Sequence, residues 1–328
     1  VAGRVTEYYG LQTVLDPNNI KITQSDLAAF KRDRRVWFLK TYLGIRPKQE
    51  KTSGPLILGT MVHTALEGRY RYGQDLLEAY DAAVQETHDA YILTEPYFSE
   101  HEWNKQAELG RIMLEGYEEW LDTEHIDSDI STFAVEKLLQ VETTYHGVPV
   151  TLSGKADHIV RNNLTGELLV YDWKTTNNLE RMTRQAHTTD QLPYYMTLQQ
   201  ALEPDEYVAG AAFTMLLKTK RSDRARPPFY RREPVRFTPE ALENRQAGIG
   251  GAISDYVRVV AQLHDGAANP LRLAYANPGV MSFDRDLDPL IDIMDNGGNV
   301  PGVIAALYKQ VNPYERYAEK TTSMLDDM

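Results

Sequence analysis

The chain has 328 residues, 42% of them apolar and 25% charged, with a formal net charge of −12. That composition is ordinary for a globular protein with a substantial core, and no apolar run nears the roughly 20 residues that span a bilayer. Cysteine is absent, which excludes disulfides, cysteine-ligated zinc and iron–sulfur clusters.

Residues 1–22 show no strong period and read as a lead-in. Their opening, Val1-Ala2-Gly3-Arg4-Val5-Thr6-Glu7, lacks the basic and then apolar layout of a signal peptide, so a cytoplasmic protein is expected. Ser25 is placed as the N-cap of a helix through Leu27, Phe30, Val36, Trp37 and Leu39. Pro47 to Pro55 reads as a polar loop. A helix then carries Met61, Val62, Ala65 and Leu66 on one face, with Gly59 at its start, and two further helical patterns cover about 75–92 and 101–122. The pattern changes near Phe133: residues 133–145, 147–160 and 167–174 read as strands, with turns at His146-Gly147 and from Asn162 to Gly166. A helix follows at about 188–202, then a buried strand from Tyr207 to Leu217 and a basic segment around Pro227-Pro228. A strand from Phe229 to Phe237 leads to a long helix that opens at Thr238-Pro239-Glu240 and runs to His264. Beyond Asn269 come turns, short elements and an acidic tail. This order predicts an α/β fold, a mixed sheet flanked by helices with a helical N-terminal subdomain. The expected division is a lead-in at 1–22, the helical subdomain at 23–125, a core at 126–268 and a C-terminal segment at 269–328.

Net acidity argues against a nucleic-acid partner, but the distribution of charge reverses that reading. Lys31 to Lys51 holds eight basic and two acidic residues, and Lys218 to Arg236 the same, each a local +6. Such strips suit a polyanion, although a solvated helix face or loop also carries charge runs. In the second strip Lys218, Lys220, Arg221, Arg224, Arg226 and Arg231 are expected at the phosphates, with Phe229 and Tyr230 available to stack on bases.

The chemistry concentrates in Gly154-Lys155-Ala156-Asp157 and, after a turn, Tyr171-Asp172-Trp173-Lys174. Asp157 and Asp172 lie at or near the ends of adjacent strands, where hard carboxylate oxygens suit Mg²⁺. Lys174 stands two residues after Asp172, on the same face of its strand, and can reach the charge that develops beside a metal. The carbonyl of Trp173 is a further ligand candidate. A lone Asp-x-Lys is common at solvated strand ends, so the neighbouring elements decide. His63 sits on the apolar helix face of Gly59-Thr60-Met61-Val62-His63, a place that core histidines also occupy. Gln191 and Tyr195 lie one turn apart in the helix after the Asp-x-Lys strand.

Taken in this order, the Gly-Thr-x-x-His helix, the Gly-x-x-Asp strand, the Asp-x-Lys strand and the Gln-x-x-x-Tyr helix resemble the RecB-type branch of the PD-(D/E)XK nuclease superfamily. The resemblance runs from about Ile22 to His264. It implies a restriction-endonuclease-like core and a metal-dependent DNA nuclease, expected to be an exonuclease, that uses Mg²⁺ or Mn²⁺. His63, Asp157, Asp172 and the Trp173 carbonyl would hold the metal, and Lys174 would orient and polarise the attacking water. Gln191 and Tyr195 would contact the DNA backbone or support the site. Glu136 resembles an acidic position of some members, with Glu142 an equally placed rival. DNA ends or single strands are the implied partners, with a helicase or annealing protein beside them, in phage or bacterial recombination, repair or processing. A nuclease fold that binds DNA or a recombination partner without cutting is the alternative, and a hydrolase of other phosphoesters a weaker one.

Many relatives of this branch carry four cysteines for an iron–sulfur cluster, one near Lys31 to Phe38 and three near Ser282 to Leu290 in this numbering. None stands here. An ion pair from Arg34 or Arg35 to Asp286 or Asp288 is the expected substitute.

Overall fold

The computed structural model describes residues 9–48, 54–94, 99–222, 224–266, 269–277 and 285–315. The chain forms two compact units. One gathers Val1–Lys48, Glu142–Thr151 and Ala252–Met328; the other gathers Gln49–Val141 and Leu152–Gly251. Among the described residues no helix is long and apolar enough to cross a membrane.

In the first unit, β1 (Ile20–Thr23) leads into α1 (Gln24–Arg32) through a capping box in which Thr23 and Asp26 satisfy each other's backbone N–H. Thr23 is therefore the N-cap, not Ser25, because only a residue three before Asp26 can close that box. Next come α2 (Arg34–Trp37) and β2 (Ile45–Pro47), which pairs antiparallel with β8 (Tyr308–Gln310). Phe30, Trp37 and Tyr256 form an aromatic core, Trp37 lying 4.9 Å from each of the other two rings. The expected ion pairs are replaced by others. Arg34 meets Asp255, and Arg35 donates to the Ala274 carbonyl and to Asp295, each at 2.7 Å. Asp288 instead starts a short helix, Asp288–Asp295, where a negative charge suits the helix N-terminus. Ser282 to Asp284, named for the lost cysteines, lie outside the described residues.

The second unit carries most of the sheet and three long helices: α3 (Gly54–Tyr72), α4 (Leu76–Thr94) and α5 (Glu100–Thr123). Helix α3 begins at Gly54-Pro55 rather than at Gly59, since proline is preset for the first helical turn. Leu58, Met61, Val62, Ala65 and Leu66 recur at helical spacing and pack with Tyr80, Trp103, Met113 and Tyr117 in one core that also takes in Trp173. The strands are β3 (Ile130–Tyr145), β4 (Val148–Asn162), β5 (Leu168–Thr176), β6 (Val208–Leu217) and β7 (Tyr230–Arg236). Strand β4 pairs with β3 and antiparallel with β5; β5 runs parallel to β6, and β6 antiparallel to β7. The sheet is mixed and flanked by helices, as the order of elements predicts.

A parallel β5–β6 pair requires a crossover, and it consists of two helices where one is expected. Helix α6 (Leu179–Thr188) is capped by Asn178, whose side chain accepts from the Arg181 amide at 2.8 Å. Helix α7 (Gln191–Leu202) follows after Thr189 turns extended. The sequence hides α6 because only Leu179 and Ala186 of its ten residues are buried.

Candidate active site

The site forms where β4 and β5 stop pairing. Their register runs from Arg161↔Leu168 to His158↔Tyr171. At the next residue the Asp157 carboxylate, not a backbone carbonyl, accepts the Trp173 amide, at 2.8 Å. A side chain thus ends the ladder, and Asp157 and Asp172 come to lie at the opening between the strands.

Asp172 and Lys174 share one face of β5, as their spacing requires. They form an ion pair in which the Asp172 side chain is 3% exposed and the Lys174 side chain 25%. The other Asp172 oxygen accepts from Gln191 Nε2 at 2.8 Å. The Lys174 ammonium also stands 5.1 Å from the centre of the Phe213 ring, on the neighbouring β6. Burial disfavours the Lys174 charge, but Asp172 and Asp157 outweigh it and hold the amine above its ordinary pKa.

Opposite this pair stands a set of metal-capable donors. His63, Glu136 and Asp157 each place a ligand atom within 4.8 Å of the others; His63 Nδ1 lies 3.6 Å from Asp157 Oδ2. One imidazole with two carboxylates is a donor set that fits a divalent ion of the Mg²⁺ or Mn²⁺ kind, the nitrogen favouring Mn²⁺. The backbone of Trp173 hydrogen-bonds His63 as well as Asp157, so its peptide units border the same space. Burial, and then the Asp172 carboxylate, push Asp157 well above the usual carboxylate range. Burial, and then Lys174, lower the His63 pKa, which keeps the imidazole neutral and able to ligate. Among the described residues this is the one such cluster, and Asp172 is not in it; its oxygens face Lys174 and Gln191. Glu136 is in it, through a backbone φ of +50°. A residue with a Cβ takes that conformation only at a cost, and in mid-strand it re-aims the side chain. Its rival Glu142 belongs to the other unit.

Gly154 and Tyr195 explain each other. A Cβ on Gly154 would lie 2.6 Å from Tyr195 Cε1, closer than carbon atoms approach. The glycine therefore lets α7 pack its tyrosine closely on β4, and the same helix then delivers Gln191 to Asp172. Tyr195 is buried, 8% exposed.

Two groups escaped the sequence reading. Trp173 shares an aromatic cluster with Tyr70, stacked at 5.6 Å, and His158, at 5.6 Å, and the Tyr70 and His158 rings are themselves 4.4 Å apart. Tyr70 in turn donates to Asp127 at 2.7 Å, and Asp127 pairs with the buried Arg232. Tyr70 follows His63 by seven residues, two turns along one helix face, and that spacing was the available signal. The second is Lys155, whose ammonium pairs with Glu136.

The basic segment differs most from expectation. Lys220 pairs with Glu108 at 2.7 Å, Arg221 with Glu119 at 2.6 Å and Arg231 with Glu180 at 2.8 Å. Lys218 is half-buried, and desolvation lowers its pKa. Tyr230 is no stacking platform: it is 7% exposed and donates its hydroxyl to the Met113 carbonyl at 2.8 Å. It alternates inward with β7, which is why it joins the core; Phe229 packs partly buried against the same core. Arg224 and Arg226 are exposed.

A family model described as the PD-(D/E)XK nuclease superfamily matches residues 21–273. No curated protein matches the chain significantly. Among solved structures, a candidate exonuclease from Eubacterium rectale is 10% identical, with a TM-score of 0.49 over 86% of this chain and 89% of its own. Another, SSO0001, is 17% identical, with a TM-score of 0.27 over 67% and 79%.

Proposed function

The chain belongs to the PD-(D/E)XK nuclease superfamily, and from that premise we propose that it is a divalent-metal-dependent deoxyribonuclease that degrades DNA from its ends. The observation that carries this reading is the placement of His63, Glu136 and Asp157 donors within 4.8 Å of one another, beside an Asp172–Lys174 pair. His63, Asp157 and Glu136 would hold the ion, with Asp172 and the Trp173 carbonyl at its border. When bound, a divalent cation neutralises phosphate charge and makes water a stronger acid.

The chain's own groups supply the rest. Lys174 is cationic at neutral pH, so it donates hydrogen bonds to the developing phosphate charge and orients the attacking water rather than removing its proton. Gln191 fixes Asp172, and Asp172 fixes Lys174. Gly154 and Tyr195 set the position of the helix that carries Gln191. The exposed Arg224 and Arg226 are the members of the basic segment assigned to the DNA backbone. Work on DNA in recombination, repair or processing, in a bacterial or phage-infected cytoplasm and beside a helicase or annealing protein, agrees with the resemblance of the motifs.

The test is purified protein with Mn²⁺ or Mg²⁺ on linear and circular DNA, each end labelled in turn. Linear DNA should be shortened from an end, and Asp172→Ala and Lys174→Ala should abolish cleavage. A wild-type protein that binds DNA yet never cuts it would leave a binding module instead. Normal digestion by either variant would refute the assignment.

A further inference from the structure

Lys155 stands two residues before Asp157, so both side chains leave the same face of β4. Its ammonium contacts Glu136, one of the three donors gathered with His63 and Asp157. The two lysines of the site differ in how they are held. Lys174 is 25% exposed, pairs with a carboxylate that is 3% exposed, and lies over Phe213. Lys155 is 45% exposed, and its partner Glu136 is 10% exposed. One lysine is fixed inside the site and the other reaches in from the rim.

A divalent ion on His63, Glu136 and Asp157 would compete with Lys155 for the same carboxylate. The ion brings twice the charge and would repel an ammonium a few ångströms away. Lys155 has four methylene groups and open solvent on one side, so it can leave Glu136 without unfolding the strand. A cation released at the rim of a nuclease site meets the backbone phosphates of the strand entering it.

We propose that Lys155 is a displaceable counter-ion, which holds Glu136 until a divalent metal takes that carboxylate and then turns outward to bind a phosphate of the DNA. This rests on the nuclease reading above. Metal and DNA are then linked through one side chain: each raises the affinity for the other, and by the same factor.

The experiment uses the intact chain and two binding measurements. Mn²⁺ affinity is read by electron paramagnetic resonance without DNA. Affinity for a fluorescein-labelled duplex with a single-stranded overhang is read by anisotropy, in EDTA and in Ca²⁺. Lys155→Met should bind Mn²⁺ about threefold tighter than wild type or more, since the competing charge is gone. Its gain in DNA affinity on adding Ca²⁺ should fall about threefold or more below the wild-type gain. Lys155→Arg, which keeps the charge, should behave like wild type in both.

Unchanged or weaker Mn²⁺ binding by Lys155→Met overturns the proposal. So does tighter Mn²⁺ binding with an undiminished Ca²⁺ effect on DNA. A wild-type protein that binds Mn²⁺ and cuts DNA while Lys155→Met matches it fails this inference alone. A wild-type protein that binds no Mn²⁺ and cuts no DNA fails the nuclease reading beneath it.

Discussion

Gly154→Ala tests whether the packing of α7 on β4 sets the geometry of the site. The added Cβ would lie 2.6 Å from Tyr195 Cε1 and 3.0 Å from Cδ1. Carbon atoms settle at about 3.5–4.0 Å, so the ring must retreat by about 1 Å. The Tyr195 ring has little free space, since it is 8% exposed and its neighbour Tyr194 2%. Retreat therefore moves α7. Overpacking of this kind costs about 1–3 kcal/mol. The same displacement stretches the 2.8 Å bond from Gln191 to Asp172 past hydrogen-bond reach, and an error of about 1 Å at a reacting group lowers the rate up to about 100-fold. Gly59→Ala is the matched control: its Cβ would lie 3.8 Å from Thr175 Oγ1, an ordinary contact. In mid-helix it should stabilise by about 0.5–1 kcal/mol. Urea unfolding and single-turnover cleavage of both variants decide the matter. Gly154→Ala unfolding at the wild-type urea concentration, with wild-type cleavage, would mean that this packing does not set the site.

Lys174→Met should lose cleavage and about 3–5 kcal/mol of stability, because the buried Asp172 carboxylate is left without its cationic partner. Asp172→Asn with Lys174→Met should regain most of that stability and none of the activity, as unfolding and cleavage assays would show; equal stability of the single and double variants counts against it. Burial pushes the Tyr230 phenol from 10.0 up to about 12. Its contribution is complete below the unfolded value of 10.0 and declines as pH rises toward about 12, by roughly 1.4 kcal/mol per pH unit. Tyr230→Phe should lose about 1 kcal/mol at pH 8 with its hydrogen bond, weaken less than wild type between pH 9 and 11, and keep wild-type DNA affinity. A drop in DNA affinity would return Tyr230 to the interface. Glu108→Gln with Glu119→Gln frees Lys220 and Arg221, and should tighten DNA binding and steepen its salt slope by about one per freed cation. An unchanged slope would place the segment away from DNA.

The parts of the site legible in the sequence depend on short-range periods. Asp172 and Lys174 share a face because strand side chains alternate, and Gln191 and Tyr195 share one because helical turns repeat. Other parts were not legible. Glu136 and Glu142 are equal rivals in the sequence, and the φ of +50° that brings Glu136 into the donor set is a conformation that residue type does not announce. Helix α6 buries two residues, and seven of its ten are polar, so it reads as a surface connection. The basic segment reads as free charge because its acidic partners lie far off: Lys220 and Glu108 are 112 residues apart, Arg221 and Glu119 102.

The sequence alone determined the order of chemical groups, the alternation of elements and the absence of any cysteine-based centre. All three follow from residue identity and from spacing within a few turns of chain. Long-range packing settles which carboxylate faces the histidine, which lysine is fixed and which is held at the rim, and which surface cations are already neutralised. Those outcomes depend on distances between segments far apart along the chain, and packing alone brings such segments together.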